Sequence, residues 1–153
     1  MVIILRNKFM LSIKFHTVIV GIVLGSTFLL GACKRDMQCN VPIGDATGSI
    51  NLSMPDAYPL WHAGGAVRVH GGYKGIWVVN TGMGYTAFEA ACPVDNEVGV
   101  VLVDGIDGVL QCPKCKTVFS TYTDGYPIDG SITYCPLFQY SIYREGDILY
   151  LSN

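Results

Sequence analysis

Histidine is scarce in this sequence. Only three histidines occur among 153 residues, and none follows His70. Imidazole is the commonest metal ligand and the usual general base near neutral pH, so nothing in the second half suggests a Ser–His–Asp hydrolase. Charged residues make up only 14% of the chain, and Lys and Arg are scattered rather than clustered. This pattern does not favour a nucleic-acid-binding protein.

Long apolar runs are also scarce, and the one clear run lies near the start. It covers residues 17–30 and follows three basic residues, Arg6, Lys8 and Lys14. Fourteen residues are too few to be read as a membrane-spanning helix, whereas a basic start followed by a short apolar run is typical of an export signal. The run ends in Leu-Gly-Ala-Cys at residues 30–33, which resembles a bacterial lipobox.

The lipobox predicts that residues 1–32 are a signal peptide and that Cys33 carries lipid. Residues 33–48 are then a tether, and residues 49–153 form one domain, since this length suits a single core. Lys34 is not the aspartate that retains some lipoproteins at the inner membrane. We therefore expect a lipid-anchored protein of the bacterial cell envelope, sorted to the outer membrane and facing the periplasm or the exterior.

The pattern after residue 49 predicts an all-β fold. Short runs rich in Val, Ile, Tyr and Thr are separated by turns that contain glycine, and no window carries a helical apolar stripe with caps. Close spacing of short strands is typical of a small sandwich or barrel. The expected strands are Ile50–Met54, Ala66–His70, Ile76–Asn80, Tyr85–Ala90, Val98–Val103, Val109–Gln111, Val118–Thr121, Tyr140–Arg144 and Ile148–Leu151.

Two short cysteine motifs are the strongest chemical signal. The first is Cys-Pro-Val-Asp at residues 92–95, and the second is Cys-Pro-Lys-Cys at residues 112–115. Two thiols three positions apart, with a proline that stiffens the turn, can bind one metal. Each motif follows an expected strand, so we predict two Cys-Pro loops that face each other at one end of the fold.

Five cysteines follow the predicted lipidation site. An odd number leaves one thiol over if the others form disulfides, and export puts them where disulfides persist. Cys39 lies in the predicted tether and is the expected unpaired cysteine. The other four are Cys92, Cys112, Cys115 and Cys135.

Residues 87–153 resemble a Rieske domain. Such domains carry C-x-H and C-x-x-H motifs, with two cysteines on one iron and two histidines on the other. Cys92 and Cys112 match the cysteine pair, and the resemblance implies that the loop with Pro136 covers the cluster before a closing hairpin. The chain as a whole is most similar to Rieske-like lipoproteins of Bacteroidetes-type bacteria. Further matches are Phe119, Gly125, Pro127, Gly130, Cys135, Leu137 and Tyr140.

The two histidine positions depart from the family. Val94 stands at the first and has no donor atom, while Cys115 stands at the second and would bind as a thiolate. A [2Fe–2S] cluster would then use Cys92, Cys112 and Cys115, with Cys135 or Asp95 as the fourth ligand.

Three alternatives stay open for these cysteines: an altered [2Fe–2S] cluster, a zinc ion held by all four, or two disulfides. The disulfides would join Cys92 to Cys112 and Cys115 to Cys135. The cluster implies one-electron transfer with an unidentified redox partner. Zinc or disulfides imply a cluster-free binding or structural module of an envelope complex. A self-contained enzyme has no support; at most the chain is a component of an oxidoreductase system.

Overall fold

The computed structural model describes Cys39, residues 41–128 and residues 130–153. The predicted signal peptide and the lipidation site at Cys33 lie outside the described residues. Within the described part, no helix is long and apolar enough to cross a membrane.

In the described part of the chain, nine strands form two antiparallel sheets. The larger sheet has six strands in the order β1-β9-β8-β4-β3-β2, and the smaller has three in the order β5-β6-β7. The strands are β1 Gly48–Asn51, β2 Ala66–Val69, β3 Ile76–Asn80, β4 Tyr85–Glu89, β5 Val101–Leu102, β6 Val109–Gln111, β7 Val118–Ser120, β8 Gln139–Glu145 and β9 Ile148–Ser152. All nine expected strands are present, so the predicted all-β fold class is confirmed.

Two short 3-10 helices complete the described elements. The longer one, Pro55–Trp61, was not predicted, because it contains two prolines and no 3.6-residue apolar stripe. Its Ala57 and Leu60 are buried against the larger sheet. The shorter one, Thr121–Thr123, directly follows β7.

Strand β4 is buried on both faces and lies between two cores. Ala87 faces a core that also contains Ile76 and Leu149. Phe88 faces the opposite way, into a core shared with the smaller sheet, where it is clustered with Leu110 and Phe119. Successive side chains on a strand point to opposite faces, so this one strand connects the two sheets.

The packed domain begins before residue 49. Ala46 is almost fully buried, and its backbone N–H donates to the Asn153 side chain at 2.7 Å. The Gly44 backbone lies so close to residues 72–73 that a Cβ atom there would meet backbone 2.0 Å away. These residues lie within the segment that was predicted to be a tether, and they are part of the folded body.

Candidate metal centre

The first Cys-Pro loop continues directly from β4. Its Cys92 N–H donates to the Val98 carbonyl at 3.0 Å, and the Val98 N–H donates back to the Asp95 carbonyl at 3.1 Å. These two hydrogen bonds close residues 92–98 into a compact turn. The Cys92 side chain is fully buried within the core beneath the smaller sheet.

The second Cys-Pro loop connects β6 to β7. The Cys112 N–H donates to the Thr117 carbonyl at 2.9 Å, and the Lys116 N–H donates to the Cys112 carbonyl at 3.0 Å. Lys116 has a φ of 62°, a left-handed conformation that is uncommon for a residue with a side chain. The loop thus turns sharply and directs Cys112 inward, where it is buried, while Cys115 remains partly exposed.

An ion pair joins the two loops. The Lys114 ammonium of the second loop contacts the Asp95 carboxylate of the first. This contact lowers the pKa of Asp95, chiefly through the hydrogen bond from Lys114. The predicted role of Asp95 as an alternative fourth metal ligand has no support here, because its carboxylate pairs with Lys114 and is not in the group of potential metal ligands among the described residues.

Three thiols meet where the loops face each other. The sulfur atoms of Cys92, Cys112 and Cys115 all lie within 4.8 Å of one another. The Sγ atoms of Cys92 and Cys115 are 3.6 Å apart, and the Cys115 N–H lies 3.5 Å from the Cys112 Sγ. The three are reduced and form a group that could bind a metal.

The surroundings of the thiols shift the pKa values of Cys92 and Cys115 in opposite directions. Burial raises the pKa of the Cys92 thiol to about 12, although backbone groups of Asp95 and Val94 hydrogen-bond to its sulfur and oppose this effect. Burial alone would also raise the pKa of the Cys115 thiol, but hydrogen bonds with Thr117 outweigh this effect and lower the pKa. Its Sγ lies 3.2 Å from the Thr117 hydroxyl oxygen. Cys115 therefore ionises more readily than Cys92.

Cys135 does not belong to this group. It forms a disulfide with Cys39, 96 residues earlier in the chain. A disulfide sulfur offers no thiolate, so the prediction of Cys135 as a metal ligand is corrected. The prediction that Cys39 is unpaired is also wrong, and neither Cys92–Cys112 nor Cys115–Cys135 is present as a bridge.

The loop that contains Pro136 lies beside the thiols, as the resemblance to Rieske domains implies. Leu137 packs in the same core as Cys92 and Cys112, and its N–H donates to the Gly125 carbonyl at 3.0 Å. The strands after it form the closing hairpin β8–β9. The loop with Pro136 therefore lies where it was expected, and the thiol group contains no histidine among the described residues.

The site also depends on a residue that the sequence analysis did not single out. Glu89, the last residue of β4, is fully buried. One carboxylate oxygen accepts hydrogen bonds from the N–H groups of Lys74 and Ala91. The other accepts from the Tyr73 N–H and the Tyr140 hydroxyl, both at 2.6 Å. The bond to Ala91 fixes the backbone immediately before the first Cys-Pro loop.

Comparisons with known proteins give a likeness to a solved structure. No family model matches the sequence, and no curated protein matches it. The chain is similar to the ferredoxin of carbazole 1,9a-dioxygenase from Nocardioides aromaticivorans IC177, with 16% sequence identity and a TM-score of 0.45 over 74% of this chain and 98% of that one. A likeness of this degree carries no information about activity.

Proposed function

We propose that this protein transfers single electrons in the bacterial cell envelope through an altered iron–sulfur centre bound by Cys92, Cys112 and Cys115. The observation that carries the proposal is the meeting of three reduced thiols within 4.8 Å at facing loops, apart from the disulfide. Thiolates are soft ligands that select iron–sulfur centres, zinc and Cu(I).

The donor set does not fit a Rieske cluster. Such a cluster needs two imidazoles on one of its irons, and the thiol group contains no histidine among the described residues. Val94 at the first histidine position has only a hydrocarbon side chain. The raised potential that imidazole ligands provide is therefore not expected.

The spacing of the sulfurs instead favours three thiolates around one metal atom. With metal–sulfur bonds of about 2.3 Å, two ligands of a tetrahedral metal lie about 3.8 Å apart. The Cys92 and Cys115 sulfurs are 3.6 Å apart, close to that value. Cysteines on different irons of a two-iron cluster are separated further, because both irons lie between them.

Iron suits this set better than structural zinc does. Structural zinc sites are closed by four protein ligands, and the described residues supply three. Bound iron supplies a one-electron couple between its ferrous and ferric states. Backbone groups of Val94 and Asp95 hydrogen-bond to the Cys92 sulfur, and the Cys115 N–H lies beside the Cys112 sulfur. These groups would stabilise the negative charge of the thiolates. Partial exposure of Cys115 gives the electron a short path to the surface.

The proposed envelope location has independent support from the disulfide. Disulfides persist in exported proteins and are rare in the cytosol, and one partner of the bridge, Cys39, follows the predicted lipidation site by six residues in the sequence. We propose that lipid on Cys33 anchors the protein to the outer membrane and that its partner is a redox protein or another envelope component.

The full-length protein, expressed with its export signal and purified without oxygen, tests this function. We expect iron, visible thiolate-to-iron absorption, an EPR signal that changes on reduction, and the loss of two hydrogens for one disulfide. Cys92→Ser, Cys112→Ser and Cys115→Ser should each abolish iron binding.

The double variant Cys39→Ser/Cys135→Ser is the matched control and should retain iron, because it removes two cysteines without touching the thiol group. Purified protein without iron contradicts the proposal. So does iron that is lost from the double variant although the variant remains folded.

A second candidate is a cluster-free binding or structural module of an envelope complex. One observation favours it: the Cys92 and Cys115 sulfurs are already 3.6 Å apart, and an oxidising compartment promotes a bridge between such thiols. A mass short by four hydrogens, without iron or zinc, would identify this form. One zinc per chain would identify a zinc-stabilised form of the same module.

A further inference from the structure

The loop with Pro136 presents an apolar surface to solvent. Among the described residues of this loop, the exposed side chains are two tyrosines and two isoleucines: Tyr126, Ile128, Ile132 and Tyr134, with Ile132 67% and Tyr134 80% exposed. We call these four residues the apolar loop surface. Residues 126–137 contain no Lys or Arg and a single acidic residue. Exposed apolar side chains grouped on one loop indicate an interaction surface rather than a solvated turn.

The apolar loop surface lies beside the thiol site. Ile128 and Ile132 line a cleft of about 300 Å³ together with Cys115, Lys116 and Thr117. The backbone of the same loop is attached to the smaller sheet, because the Ile128 N–H donates to the Val118 carbonyl at 2.8 Å. Whatever binds this surface therefore comes close to the partly exposed thiol.

The disulfide connects this surface to the start of the domain. Cys135 is adjacent to Tyr134 and is bonded to Cys39, which follows the predicted lipidation site Cys33 by six residues. Six residues span at most about 20 Å when fully extended. A domain of this size has a radius of gyration of about 13 Å and is thus about 34 Å across. The bridge therefore keeps the loop near the lipid and prevents the opposite end of the domain from taking its place.

We propose that the apolar loop surface rests on the membrane that holds the lipid anchor, with the headgroup region as its occupant. The inference rests on the lipid attachment included in the proposed function. Tyrosine is enriched at membrane–water interfaces, and shallow insertion of apolar side chains strengthens the binding of anchored proteins. The loop itself has no basic residue and contributes apolar burial, while the exposed Lys116 in the same cleft adds an attraction to anionic headgroups. A redox partner in the same membrane could then reach the thiol site.

Quenching by brominated lipids tests the contact. The lipidated full chain is placed in vesicles of phosphatidylethanolamine and phosphatidylglycerol with brominated acyl chains. Tyr134→Trp reports on the loop, and Met83→Trp is the matched control. Met83 is 97% exposed in the turn before β4, at the opposite end of that strand from Cys92. After subtraction of the wild-type signal of Trp61 and Trp77, we expect quenching about twofold or more stronger at position 134.

Removal of the bridge gives the second arm. In a Cys39→Ser/Cys135→Ser background, the first packed residue is Gly44, eleven residues after Cys33, which nearly doubles the reach of the tether. We expect the difference between positions 134 and 83 to shrink in that background.

Three readouts separate the possible failures. Equal quenching at positions 134 and 83 in the bridged, lipidated protein overturns the membrane contact. An intact mass without acyl chains contradicts the anchor and the contact together. Iron content measured on the same samples reports on the thiol centre alone, so failure of the centre is distinguishable from failure of the contact.

Discussion

Glu89→Gln should destabilise the domain although the substitution hardly changes the shape of the side chain. Each carboxylate oxygen of Glu89 accepts two hydrogen bonds, from the N–H groups of Tyr73, Lys74 and Ala91 and from the Tyr140 hydroxyl. Glutamine keeps one accepting oxygen and turns an NH2 group toward two donors. If the NH2 group faces Tyr73 and Tyr140, the Tyr140 hydroxyl can accept from it while donating to the Gly44 carbonyl, so only the bond from the Tyr73 N–H is lost. The opposite orientation loses the bonds from Lys74 and Ala91 and is the worse of the two.

The magnitude follows from the better of these two orientations. A hydrogen bond to a charged acceptor contributes about 1.5–3 kcal/mol, and the three bonds that remain lose the strengthening that a charged acceptor gives. Removal of a buried charge returns part of this, because the desolvation cost disappears with it. We therefore expect a loss of about 1–3 kcal/mol, or a decrease in melting temperature of roughly 4–12 °C for a domain of this size.

Urea unfolding followed by tryptophan fluorescence measures the free energy of unfolding of each variant. Glu145→Gln is the matched control, because Glu145 is exposed at the β8–β9 turn, and its loss should stay within about 0.5 kcal/mol. A Glu89→Gln variant as stable as wild type would refute the assignment of the buried carboxylate as the anchor of β4 and of the backbone before Cys92.

Three further predictions concern the packing around the site. Burial raises the pKa of Tyr140, and the hydrogen bond to the Glu89 carboxylate raises it further, so the stabilisation is fully present below about pH 10 and is lost as the pH rises toward the folded value. Tyr140→Phe should therefore destabilise the domain below that pH, and its difference from wild type in urea unfolding should shrink above it. Cys39→Ser/Cys135→Ser removes a disulfide between residues 96 positions apart and should lower the free energy of unfolding by about 2–4 kcal/mol. Gly125→Ala should cost about 1–3 kcal/mol more than Gly105→Ala, because both glycines have a φ of 74° but only the Gly125 Cβ would meet the Phe88 ring, at 2.9 Å.

Each of these predictions has its own control or refuting result. Tyr143 is exposed, so Tyr143→Phe should leave the pH dependence unchanged; an equal effect at Tyr143 and Tyr140 argues against the buried pair. Unchanged stability of the double serine variant, with both thiols absent by intact mass, contradicts the bridge. Equal losses at Gly125 and Gly105 would show that backbone conformation alone, rather than contact with Phe88, sets the cost.

The strands were predictable because their signal is local. Each of the nine runs combines β-branched or aromatic residues with a glycine-bearing turn, and the burial alternation within β8 and β9 follows from the same pattern. The facing of the two Cys-Pro loops was predictable for a related reason, since both loops continue strands that end on the same side of the smaller core. The 3-10 helix Pro55–Trp61 lacks such a pattern and was missed.

Long-range pairing was not predictable. Cys39 and Cys135 are 96 residues apart, and disulfide connectivity does not follow from cysteine positions alone. The composition of residues 34–46 indicated a tether and gave no sign that Ala46 is hydrogen-bonded to Asn153 at the other end of the chain. Glu89 had one available signal, a charged residue inside the apolar run that precedes Cys92, where a buried strand was expected.

The central claim is that the thiolates of Cys92, Cys112 and Cys115 together hold one iron atom. X-ray absorption at the iron edge of the anaerobically purified full chain measures the neighbours of that iron directly. The account predicts a shell of three sulfur atoms at about 2.3 Å, completed by one lighter atom, without scattering from a second iron, and it predicts the same spectrum for the Cys39→Ser/Cys135→Ser variant. Scattering from a second iron, a shell rich in nitrogen, or protein that contains no iron would contradict it.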